Sequence, residues 1–177
     1  MADRSGLTAD VAFRFRRDND WFVAGRRGGF FVAQVGTNSE RAVDLLPALA
    51  LHLDPAVDVY IESLRDGRAW HGTSLALPDV REVVGRLRLP LAMHGGVEVA
   101  IVTPDDQLTL TPELQIVVYA RTDRWYFLLE GMGLVERASP PAAVWTPSRS
   151  GLKPVPDVTN VLEAAADRLG LDVSPLS

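Results

Sequence analysis

Cysteine is absent from this chain of 177 residues, lysine occurs once, at Lys153, and no apolar run approaches the length of a membrane span. Without cysteine there are no disulfides, no thiolate metal ligands and no thiol nucleophile, and a reducing compartment is the natural setting. The longest apolar run, "LLPALALHL", has about half of the roughly 20 residues a spanning helix needs, and "MADRSGLTADVAF" lacks the apolar stretch of a secretion signal. The expectation is a cytoplasmic protein with no membrane contact. A net charge of −5 argues against a general polyanion binder, because duplex affinity rests on neutralising phosphates with basic side chains.

Catalytic signatures are also missing. The sequence contains no GxSxG elbow, no Walker loop, no HExxH and no complete GxGxxG. "GMG" at 131–133 lacks the third glycine, and "HGG" at 94–96 reads as a glycine turn into a strand. The three histidines, His52, His71 and His94, have no ligand-like spacing, so neither a metal nor a cofactor is expected.

What is present suits one domain over residues 1–177. Hydrophobic residues make up 47% of the chain and charged residues 23%, enough apolar material for a core at this length. Seventeen of the eighteen basic residues are arginine, which suits phosphate recognition but equally the bias of a GC-rich genome. The stretch "FRFRRDNDWFVAGRRGGFF" holds five arginines and six aromatic rings. At period two, Val11, Phe13 and Phe15 fall on one face of a strand and Arg14 and Arg16 on the other. "WFVA" and "FFVAQV" follow as the next strands of a meander, with residues 1–10 a flexible lead-in.

Thr37 with Glu40 has the form of a capping box ahead of a helix carrying Leu45, Leu46, Leu49 and Leu53. Pro47 either kinks that helix or falls in its first turn if it starts near Asp44. "VDVYIESLRDGRAWHGTSLAL" reads as a hairpin about Asp66-Gly67. A two-residue loop there sets Glu62 opposite His71, turns Val59, Ile61 and Trp70 inward, and leaves Asp58, Tyr60, Glu62, His71 and Thr73 outward. "PDVREVVGRLRLP" reads as an amphipathic helix, and "VEVAIVT" and "QLTLT" as strands about "PDDQ". "LQIVVYA" and "RWYFLLE" read as two strands about Thr122-Asp123, apolar on both sides. Residues 138–157 form a proline-rich strap anchored by Trp145, before a C-terminal helix over 158–169 with Asp157 as its N-cap and Gly170 as its stop.

The expected fold is therefore α+β, a predominantly antiparallel sheet with helices packed on it. From residue 30 the order strand, helix, strand, strand, helix, strand is that of a ferredoxin-like unit. It is preceded by an N-terminal hairpin and extended by C-terminal strands and a helix. The leading functional expectation is a non-catalytic protein-interaction module of the adaptor, immunity or chaperone kind, self-associating as a homodimer. Its interface face is drawn from Val117, Tyr119, Tyr126 and Leu128. One rival is an RNA or single-stranded nucleic-acid binder using Arg14, Arg16, Arg26 and Arg27 with Trp21. Another is a small enzyme in which Glu62 orients and charges His71 beside Tyr60.

Overall fold

The computed structural model describes residues 20–141 and 152–176, in an α+β fold of nine strands and five helices. The strands are β1 (Trp21–Arg27), β2 (Phe30–Gly36), β3 (Ala56–Ser63), β4 (Arg68–Ala76), β5 (Val97–Val102), β6 (Asp106–Leu110), β7 (Ile116–Ala120), β8 (Val135–Glu136) and β9 (Asp172–Pro175). The helices are α1 (Ser39–Ala50), α2 (Leu77–Arg86), α3 (Arg88–His94), α4 (Arg124–Gly131) and α5 (Pro156–Leu169). All nine strands join one sheet in the order β8-β1-β2-β7-β6-β5-β3-β4-β9. Every pairing is antiparallel except that of β1 with β8.

The ferredoxin-like element order from residue 30 is present, with α3 added. In the sheet β3 separates β4 from β5, while β7, β6 and β5 stand between β2 and β3. Both helical connections are thus split β-α-β crossovers.

Alternation decides which face is covered. The register aligns Val35, Ile116, Leu110, Val99, Ile61 and Trp70 in one row and Ala33, Val118, Leu108, Ile101 and Val59 in the next. All are buried, in one cluster with Leu46 and Leu49 of α1, Val80 and Val84 of α2, Leu91 of α3, Trp125 and Leu129 of α4, and Val158 and Leu162 of α5. Each large side chain removed from water there contributes about 1.5–3 kcal/mol. Helices therefore cover one face of the sheet.

The β1–β2 hairpin turns on Gly28 and Gly29, whose φ values of 58° and 85° suit a two-residue turn that L-side chains resist. Both sheet edges are short: β8 has two residues and β9 four, which limits edge-to-edge pairing. On β4 a bulge serves the same end, where the register shifts between Val57 and Val59 and the Ser74 N–H donates to Asp58 Oδ1 at 2.9 Å.

Several local expectations are corrected. Residues 124–131 are helix α4, not a strand paired with β7. β7 already has β2 and β6 as neighbours, so neither of its edges is open. Trp125 and Leu129, one helical turn apart, are both fully buried while Phe127 is 69% exposed, whereas a strand would put Phe127 on the same face as both. The α4 segment is tied down by Asp106, which accepts from Trp125 Nε1 at 2.9 Å and Arg124 Nη2 at 2.5 Å.

The β3–β4 loop spans four residues rather than two: Ser63 pairs with Arg68, Tyr60 with His71 and Glu62 with Ala69. Polar anchoring accounts for the longer loop. Asp66 accepts from Ser63 Oγ at 2.7 Å and from Thr159 Oγ1 of α5 at 2.6 Å. Arg65, 6% exposed, turns inward to donate to the carbonyls of His94, Gly95 and Lys153. A register shift of two keeps every side chain on its expected face, so Val59, Ile61 and Trp70 are buried as anticipated.

Helix α1 begins at Ser39 with Asn38 as N-cap and Pro47 inside it. No capping box forms, since Thr37 Oγ1 donates to the Asn38 carbonyl instead. The Pro47 carbonyl is taken by Arg81 Nε of α2 at 2.8 Å. For α5 the N-cap is Val155 rather than Asp157, with Pro156 opening the helix and Gly170, at φ 62°, ending it. The expected first strand at residues 11–16, Arg14 and Arg16 within it, and Trp145 of the strap lie outside the described residues.

Candidate functional site

No helix among the described residues covers the second face of the sheet, and most of the expected outward residues lie there. One row across it runs Gln34, Val117, Thr109, Ala100, Tyr60, His71 and Asp172, and a second runs Val32, Tyr119, Gln107, Val102 and Asp58. Tyr60 and Tyr119 are 42% and 38% exposed, while Ala100 and Thr109 between them are buried. The face is thus a shallow trough of small residues, flanked three strand spacings apart by rings, a width of about 14 Å.

Each flank is a ring pair. Phe30 stacks on Tyr119 with centroids 4.7 Å apart, and the Arg121 guanidinium lies 5.9 Å from the Phe30 ring. On the other side Tyr60 stacks on His71 at 6.3 Å. Gln34 Nε2 donates to Gln115 Oε1 at 2.6 Å, fixing the amides beside the valines.

One end of the trough is acidic. Glu62 stands directly across from Glu98. Partial burial first, then the charges of Glu62 and Glu113, push the Glu98 carboxyl above its ordinary value. At the same end Trp21 lies over Gly36, where an added Cβ would meet the indole at 2.2 Å, so glycine is needed for the close approach. Trp21 is only 3% exposed.

The expected site residues therefore separate. Glu62, His71, Tyr60 and Asp58 share the open face as anticipated, but His71 lies opposite Tyr60 and not Glu62. Of the four expected interface residues, Val117 and Tyr119 are on the open face. Tyr126 and Leu128 belong to α4 on the helical side, where the Tyr126 ring meets core-facing Phe22 edge-on at 5.4 Å. The Tyr126 hydroxyl donates to Glu136 at 2.8 Å, which pushes its pKa up to about 12. Arg26 and Arg27 are exposed, with Arg26 3.7 Å from Asp123. Phe30, Val32, Gln34, Ala100, Gln107 and Thr109 were not singled out from sequence, although alternation within each strand carries their signal.

Among the described residues no group of three or more His, Asp or Glu side chains is arranged to hold a metal, and no helix is long and apolar enough to cross a membrane. No protein-family model, no curated protein and no solved structure matches this chain.

Proposed function

We propose that this chain is a non-catalytic protein-interaction module, of the adaptor, immunity or chaperone kind, that binds through the open face of its sheet. The observation that carries the reading is the pairing of exposed tyrosines, Tyr60 and Tyr119, with half-buried valines on a face that no described helix covers. Amphipathic rings over apolar side chains are the composition of contact surfaces, because they bury large area at small entropic cost. The acidic end gives the surface a polarity and favours a basic partner.

The original ground for a homodimer, a strand pair apolar on both sides, is gone now that α4 occupies the second position. The interaction reading no longer depends on self-association. For nucleic-acid binding, the ring expected to stack on bases, Trp21, is buried, which favours the protein-contact reading.

The test is affinity capture with the full chain carrying Tyr119→Asp or Tyr60→Asp, beside Leu51→Asp on the helical side, where Leu51 is 57% exposed. Loss of the captured partner with the tyrosine variants alone supports the reading; equal capture by all three rejects it. Molecular mass in solution shows whether the partner is a second copy.

A further inference from the structure

We infer that the occupant of the open face is a second copy of this chain, packed face to face about a two-fold axis, so that Arg121 of each copy meets Glu62 and Glu98 of the other. The inference rests on the open face being a contact surface and names its partner.

Charge on this face is divided between opposite corners. Glu62 and Glu98 stand side by side on β3 and β5. At the far corner the β1–β2 hairpin sets Arg27 opposite Phe30, and the Arg121 guanidinium lies 5.9 Å from the Phe30 ring. Arg121 follows Tyr119 by two residues and therefore projects to the same side of the sheet. It lies 2.8 Å from Asp105, with both side chains 62% exposed, a surface ion pair of the kind that contributes little and exchanges readily. An occupant of the face must present cations over the glutamates and a carboxylate over the arginines.

The face itself has that pattern, reversed about one point. Tyr119 aligns with Gln107, Val102 and Asp58, and Tyr60 aligns with Ala100, Thr109 and Val117. The two tyrosines are separated by about 14 Å across the strands and about 7 Å along them. Midway between them lie Ala100, Val102, Gln107 and Thr109. Arg121 is two residues beyond Tyr119, and Glu62 two residues beyond Tyr60 in the opposite direction, so the same point is midway between arginine and glutamate. Ring answers ring across it, and cation answers anion.

A two-fold axis through this point, in the plane of the contact and perpendicular to the line from Arg121 to Glu62, lays the partner's Glu62 and Glu98 over Arg121, and the reverse. The same operation sets the partner's Tyr60 beside Tyr119. Such a contact is isologous, so every pairing forms twice. Two sheets packed in this way stand about 10 Å apart, a gap that one layer of side chains from each fills.

The size of the face also suits a dimer. From β1 to β4 it is seven strands wide, about 33 Å, and the distance along the strands from Arg121 to the level of Glu62 is about 20 Å. That footprint, about 650 Å² in projection, is near the roughly 800 Å² that each partner contributes to a stable complex. Its centre of rings, valines and small side chains lies inside charged corners, the layout of an apolar core with a polar rim.

The test is the mass of the full chain in solution, measured by sedimentation equilibrium over a range of concentrations. A dimer is expected. Arg121→Glu and Glu62→Arg should each weaken it by about tenfold or more, because each sets like charges against one another at both symmetric places. An equimolar mixture of the two variants should associate about as tightly as the unchanged chain, since the heterodimer pairs opposite charges at both places. A chain carrying both substitutions should dimerise for the same reason. Leu51→Asp, on the helical side, should leave the dissociation constant unchanged.

A monomer at every concentration, a dimer indifferent to both charge variants, or the absence of rescue in both the mixture and the doubly substituted chain overturns the inference. Capture of a partner by Tyr119→Asp is scored separately. If the chain is monomeric and Tyr119→Asp loses a captured partner, the second copy is rejected and the contact surface stands. If capture and mass are both the same for Tyr119→Asp and the unchanged chain, the contact surface is rejected as well.

Discussion

The two faces of the sheet are built from the same strands and do different work. On the helical face the rows are apolar throughout, mostly valine, leucine and isoleucine, and Ile101, Leu108 and Leu110 are fully buried. One residue along each strand, the other face mixes tyrosine, glutamine, threonine and glutamate with half-buried valines, and hides Trp21 and the small central side chains Ala100 and Thr109. The first face is where folding free energy accumulates, and the second is where composition departs from what stability requires. Glu62 across from Glu98 places two like charges directly opposite, which costs stability.

The largest effect should come from truncating the same strand pair on its two sides. Leu108→Ala removes a fully buried side chain from the core and should cost about 2–5 kcal/mol. Val117→Ala, on the open face and half-buried, should cost under about 1 kcal/mol. Urea unfolding midpoints at constant slope decide between them, and equal costs would mean that the open face is a second core.

Next in size is the seam that fixes α4 on the helical side. Asp106→Ala should cost about 1–3 kcal/mol, since it leaves the Trp125 indole N–H buried without its acceptor. The Trp125 indole N–H resonance followed by NMR through the same titration reports whether the helix loosens ahead of the rest.

The smallest effect concerns the acidic end. Because the folded-state pKa of Glu98 lies above its unfolded value, the folded chain binds that proton more tightly. This group's contribution is complete below the unfolded pKa and is lost as pH rises through the folded one. Glu98→Gln should therefore raise stability at neutral pH by about 0.5 kcal/mol, as removal of one of two like charges directly opposite in a sheet does. It should also flatten the gain seen on acidification. A stability profile against pH that is the same with and without Glu98 would show that the Glu98 carboxyl titrates alike in the folded and unfolded chain.

Local chemistry made much of this legible in advance. Strands β1 to β7, the inward turn of Val59, Ile61 and Trp70, the Gly170 stop and the outward set Asp58, Tyr60, Glu62 and His71 follow from a period of two or four and from glycine's access to positive φ, whereas the short edge strands β8 and β9 carry no such pattern. Failures occurred where two local signals were equally good. "RWYFLLE" satisfies a strand template and a helix template alike, and Asp66-Gly67 permits a tight turn that Arg65 and Asp66 abandon for partners far along the chain.

The sequence by itself determined that the chain would form an antiparallel α+β domain and which side of each strand would face inward, because alternation is a property of neighbouring residues. Only the tertiary structure decided that residues 124–131 coil into a helix, since the closure of both edges of β7 depends on strands far away in sequence. It also decided that the described helices gather on one face of the sheet, because a strand's pattern states that one side is wet without stating what shares that surface. The pairing of Glu62 with Glu98 and the filling of the β1 edge by β8 are of the same kind, contacts between residues that no local pattern connects.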